Sequence, residues 1–126
     1  PEWEAHRVQH AAIGWNDSVE ASRALALTLP WLAQMKKVSV LVSKKREAGV
    51  VEVVDYLKQH GCKADYQLLS GRGTNVGKKM LGTCADIGAE FLVVGGFSHT
   101  RTRQRLFGGV TSYLLSNTNI ITVMAH

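Results

Sequence analysis

Arg101, Arg103 and Arg105 alternate with Thr102 and Gln104 between two glycine pairs, Gly95-Gly96 and Gly108-Gly109. No Asp or Glu follows Glu90, so this charge has no local partner. Phe91-Leu92-Val93-Val94, a short β-type run, precedes the first pair, and Val110-Thr111 opens an apolar helical stretch after the second. The pattern is strand, basic loop, helix N-terminus. Glycine lets the backbone come close to a bound group. The free N–H groups at a helix start favour an anion. The chemistry this predicts is the holding of a phosphate-bearing ligand, with Ser98 and His99 as further loop donors.

Two nearby motifs fail their own tests. Gly71 to Lys79 has the glycines of a phosphate loop, but Arg72 stands where that loop needs Gly, and Lys79 where it needs Ser or Thr for magnesium. We read it as a turn leading into a helix. Gly96-Phe97-Ser98-His99-Thr100 lacks the last glycine of a nucleophile elbow, and no acid follows Ser98 to complete a hydrolase triad. His6, His10, His60 and His126 are scattered, which argues against a metal site. Of Trp3, Trp15 and Trp31, only Trp15 falls at a strand end beside the expected crevice.

The elements that must position this loop follow from periodicity. Residues 1–6 read as a tail and Arg7 to Trp15 as a strand. Asp17 with Glu20 predicts a capping box for a helix from Ser18 to Leu29, which Pro30 should kink or interrupt, with Trp31 to Met35 completing the turn. Lys37 to Val42 is a strand, Ser43 to Gly49 a basic loop, and Val50 to His60 a helix burying Val50, Val53, Val54 and Leu57. Cys62 to Leu69 alternates weakly, as an edge strand would. Asn75 to Ile87 is a helix with Val76, Met80, Leu81, Cys84 and Ile87 inward; Phe91 to Val94, Gly109 to Ser116 and Ile120 to Met124 complete the chain. Strands alternating with helices imply a doubly wound α/β fold, parallel strands with helices on both faces. Its ligand crevice lies at the C-terminal strand ends, where strand order reverses.

A chain of 126 residues is one domain, 1–126. Fifteen cations against ten acids suit an anionic small ligand and fall short of a nucleic-acid footprint, so no nucleic-acid partner is expected. No apolar run approaches the ~18 residues of a membrane span. Cys62 and Cys84 form no CxxC pair, which predicts buried, inert thiols in a reducing, cytoplasmic setting.

At the loop the sequence resembles the universal stress protein family, whose signature is Gly, two residues, Gly, nine residues, Gly, then Ser or Thr. Gly95 takes the first position and Ser98 the second; His99 to Phe107 are the nine, Gly108 follows, and Gly109 stands at the Ser/Thr position. The spacing is intact and two of the four residues differ. Ala12 to Ser18, Leu29 to Leu32, Val54 to Leu57, Gly82 to Glu90 and Thr118 to Met124 also fit. The resemblance implies a Rossmann-like five-stranded sheet in the order 3-2-1-4-5. It implies a stress-response module binding ATP or ADP, with magnesium. The base would lie between Trp15-Asn16 and Val42, and the phosphates on Gly95, Gly96, Ser98, His99 and on Gly108, Gly109, Val110 and Thr111, with charge from Arg101 and Arg103. An Asp at the Asn16 position often contacts adenine in such proteins. No general base stands beside the phosphates, so at most slow hydrolysis is implied. It further implies a homodimer, or a tandem pseudo-dimer, paired through Ile120 to Met124. The polar lead-in without an initiator Met suggests the second half of a tandem protein. The family also holds members that bind no nucleotide, so a second reading stands beside the first: a dimerisation and partner-interaction module.

Overall fold

The computed structural model describes residues 9–71, 73–95, 110 and 112–125. Their order is β1 (His10–Gly14), α1 (Val19–Leu32), β2 (Lys37–Val42), a single 3-10 turn (Lys44–Arg46), α2 (Glu47–Gln59), β3 (Ala64–Leu68), α3 (Val76–Ile87), β4 (Phe91–Gly95), α4 (Ser112–Asn117) and β5 (Ile121–Ala125). The strands form one sheet in the order β3-β2-β1-β4-β5. Every pairing in it is parallel. This is the expected topology. From the central β1 the chain moves out to β2 and β3, then returns to β4 on the other side. The order therefore reverses between β1 and β4.

Alternation along the strands sorts the core into two layers. Ala11, Ile13, Val38, Val40, Val42 and Val93 face α1 and α2 and pack with Leu25, Leu32, Val50 and Leu57. Ala12, Leu41, Leu92 and Val94 face the other way, onto Met80 and Cys84 of α3 and Leu114 of α4. Burial on both faces explains why the inner strands read as nearly continuous apolar runs. β3 is an edge, as its weak alternation suggested, with Asp65, Tyr66 and Gln67 exposed.

Three local expectations are corrected. Pro30 does not interrupt its helix, which runs on to Leu32. So near the C-terminus a proline forfeits one hydrogen bond. Leu32 is fully buried, Leu29 packs on the core, and the Ala33 amide closes the helix on Leu29 O at 3.0 Å. The cap is Ser18, whose Oγ accepts from the Ala21 amide at 3.0 Å; Asp17 instead takes a left-handed backbone, φ 64. On α3 the buried face is Gly77, Met80, Thr83 and Cys84, while Val76 is exposed and Leu81 and Ile87 half-buried. The small Gly77 seats Tyr113 of α4, and Thr83 is tolerated inside because its hydroxyl donates to Lys79 O at 2.7 Å.

Candidate functional site

At the reversal point, two glycines set the shape. A Cβ on Gly95 would lie 2.5 Å from the Ala21 amide nitrogen and 2.8 Å from the Glu20 carbonyl carbon. Only a residue without Cβ lets the end of β4 abut the first turn of α1. A Cβ on Gly14 would lie 2.8 Å from Met80 Sδ and 2.9 Å from Val94 Cγ1. Its absence leaves an apolar floor of Gly14, Val94 and Met80.

Above that floor is a cleft of ≈ 290 Å³. Its walls are Trp15 and Asn16 after β1, Ser43, Lys45 and Arg46 after β2, Leu69 after β3, Val76 of α3, Gly95 and Val110. Among the described lining residues two are cationic and none is acidic. Lys44, the third cation of the 3-10 turn, pairs outward with Glu47 at 2.9 Å. That bond holds the Lys44 pKa above its ordinary value and the Glu47 carboxyl below its own, with the Tyr66 hydroxyl, 2.8 Å from Glu47, reinforcing the latter. Lys45 and Arg46 have no acidic partner among the described residues. Asn16 is fixed by chemistry: its Oδ1 accepts from the Ser18 amide at 3.2 Å and the Ser18 hydroxyl at 2.6 Å. The amide N–H can meet only the oxygen, so the Asn16 Nδ2 donors are the end left for a ligand.

Of the residues expected at the site, Trp15, Asn16, Gly95 and Val110 line this cleft. Trp15 stands at its rim, since its side chain also packs against the α1/α2 layer. Val42 does not line it. Strand alternation turns its fully buried side chain to the α1/α2 layer, and its carbonyl accepts from the Leu69 amide at 2.9 Å. Gly96, Ser98, His99, Arg101, Arg103, Gly108, Gly109 and Thr111 lie outside the described residues. Sequence reasoning missed Gly14, Ser43, Lys45, Arg46, Leu69, Val76, Met80 and Val94. The available signal was the basic loop at the C-terminal end of a strand flanking β1. The glycine-rich stretch before α3 is a turn, as read: Asn75 caps the helix by accepting from the Lys78 amide at 2.9 Å.

Both cysteines are buried; desolvation raises the Cys62 thiol pKa and pushes that of Cys84 up to about 11. Among the described residues no group of three or more His, Cys, Asp or Glu is gathered for a metal. None of their helices is long and apolar enough to cross a membrane.

No sequence-family model matches this chain, and no curated protein matches it in sequence. The fold has clear counterparts among solved structures. A universal stress protein from Archaeoglobus fulgidus superposes with TM-score 0.72 at 16% identity, over 95% of this chain and 99% of that one. A universal stress protein in complex with cAMP gives TM-score 0.70 at 16% identity, over 94% and 97%. Another, from Archaeoglobus fulgidus DSM 4304, gives TM-score 0.74 at 14% identity, over 93% of this chain but 43% of that one. Sheet order, the two-sided helix layers and these superpositions together establish that this chain has the universal stress protein fold.

Proposed function

We propose that this chain is a universal stress protein domain that binds an adenine nucleotide in the cleft beside β1 and β4, as a sensing module in the cytoplasm. The observation that carries this reading is the lining: an apolar floor of Gly14, Met80 and Val94, the Asn16 amide, and Lys45 with Arg46, with no acid. A flat base suits the floor and the Asn16 donors; negative charge suits the cations. The volume sits at the lower end of the range of about 300–1,000 Å³ for small-molecule sites. The described walls therefore suit a nucleoside, and its phosphates would continue past Gly95, the last described residue of β4. The structural neighbour in complex with cAMP supports the choice of ligand class. Among the cleft's described lining residues there is no carboxylate for magnesium, which would arrive on the nucleotide's phosphates, and no general base to drive hydrolysis.

Titration calorimetry of ATP, ADP and cAMP, with magnesium, into the wild type and a Lys45→Ala/Arg46→Ala variant tests this. The expected result is micromolar binding that the double change weakens by roughly 10- to 100-fold, since a bond to a charged group contributes about 1.5–3 kcal/mol. Absence of heat in a folded wild type would overturn it and favour the partner-interaction reading.

That second reading rests on β5, an edge strand with Ile121 exposed and Val123 and Met124 half-buried. We propose pairing through this strand, either between two copies or within a tandem chain. The neighbour of which this chain covers 43% has the length of a two-domain protein.

A further inference from the structure

A second groove, ≈ 350 Å³, opens on the opposite face of the sheet, between α1 and α2. Its chemistry is the reverse of the cleft's. Leu25, buried, and Val53, half-buried, form an aliphatic floor. Trp15 and Tyr56 supply aromatic walls, Ser22 and the Tyr56 phenol supply hydroxyls, and Glu52 is the one charged residue among the described lining residues. The main chain at Trp15 and the Tyr56 ring each have a neighbour. The Trp15 amide donates to Leu41 O at 2.9 Å, extending the sheet ladder one residue beyond β1. The Tyr56 ring lies against His60, centroids 4.3 Å apart and planes tilted by 39°, and His60 Nδ1 lies 2.9 Å from Tyr56 O. The spacing also fits the helix: Glu52 and Tyr56 are one turn apart on α2, as are Ser22 and Leu25 on α1.

Aromatic faces attract a cation through their quadrupole, and a carboxylate beside them adds a direct ionic partner. An anion would meet the Glu52 carboxylate, and no cation is among the described lining residues. A neutral apolar molecule would fill the floor and leave Glu52 unused. We propose that this groove is a binding site for a small organic ammonium: the charged nitrogen on Glu52 between Trp15 and Tyr56, the apolar body on Leu25 and Val53. The volume admits one ring and a short arm. The site is separate from the nucleotide cleft, sharing only Trp15, and does not depend on that reading.

Three probes of one shape and different charge decide it: phenethylamine, 2-phenylethanol and phenylacetate, each titrated into isotope-labelled protein while the amide signals of Trp15, Ser22 and Val53 are followed. The amine should half-saturate these signals at a concentration about tenfold below the alcohol, the scale of one cation–aromatic and ionic contact, and phenylacetate should bind weakest. In Glu52→Gln the amine should fall to the level of the alcohol, and the alcohol should not change. Glu52 is exposed, so the variant keeps the fold, which its spectrum checks directly. Equal binding of amine and alcohol to the wild type overturns the proposal. So does a Glu52→Gln variant with undiminished amine affinity, or a set of signals that no probe moves.

Discussion

Gly95 illustrates how one residue type can be placed for two different reasons. In the sequence it takes the first position of a glycine spacing that resembles a nucleotide-binding signature. In the structure a Cβ there would strike the backbone of Glu20 and Ala21, which cannot give way as a flexible side chain can. Gly95→Ala should therefore destabilise the apo protein by roughly 1–3 kcal/mol, the range for overpacking a well-filled site. Denaturant midpoints would measure it, and an alanine variant as stable as the wild type would refute the packing argument. Gly14→Ala should cost less, because one of its obstacles is the mobile end of Met80. The fold requires Gly95 with or without a ligand, so that glycine by itself says little about nucleotide. Lys45 and Arg46 say more, since no packing requirement puts at a cleft two cations without an acidic partner among the described residues.

Among the elements, the N-terminal end of the sheet is tied by a polar chain. His10 of β1 has Nδ1 3.1 Å from Ile87 O of α3 and Nε2 2.8 Å from Ser39 Oγ of β2; Ser39 Oγ is 3.0 Å from Asp65 Oδ1 of β3. The carbonyl can only accept, so Nδ1 carries a proton. Ser39 has one hydroxyl proton to give. With His10 neutral it goes to Nε2 and leaves Asp65 to Lys37, 3.5 Å away; with His10 charged it goes to Asp65. Burial, the largest influence, lowers the His10 pKa from its ordinary 6.5; the bond to Ile87 opposes this, Lys37 adds to it, and Asp65 and Glu90 offset part of it. The sign follows. Between the lowered pKa and about 6.5 the unfolded chain binds more protons than the folded one, so stability rises with pH there. This contribution is full above about pH 6.5 and is lost as pH falls toward the folded value. A His10→Gln variant should show a flatter stability profile across that window than the wild type, read from urea midpoints at each pH. Parallel profiles would mean that His10 does not titrate as placed.

Across the whole molecule, element order and the parallel α/β class were legible because apolar periodicity is set by burial on the two faces of the sheet, whereas the strand order came from the family resemblance and not from periodicity. What was not legible depended on neighbours in space. Asp17 and Ser18 are both good caps by type, and only the backbone chose between them. Val42 looked like a cleft residue until strand alternation sent it to the other layer. Lys45 and Arg46 reach the cleft because β2 pairs with β1, a fact of sheet order. The same order leaves two edges of different character. β3 exposes Asp65, Tyr66 and Gln67, the polar blunting that discourages edge pairing. β5, Ile121 to Ala125, contains no charged residue, and Ile121 is 56% exposed. An uncharged edge with an exposed isoleucine is the one suited to a partner strand. Ile121→Lys should blunt it with little effect on folding, because the side chain already faces solvent. Sedimentation at tens of micromolar should then show an associated wild type and a monomeric variant with the same melting temperature, the midpoint being the control for folding. A monomeric wild type, or a variant that associates as before, would move the search for a partner away from this edge.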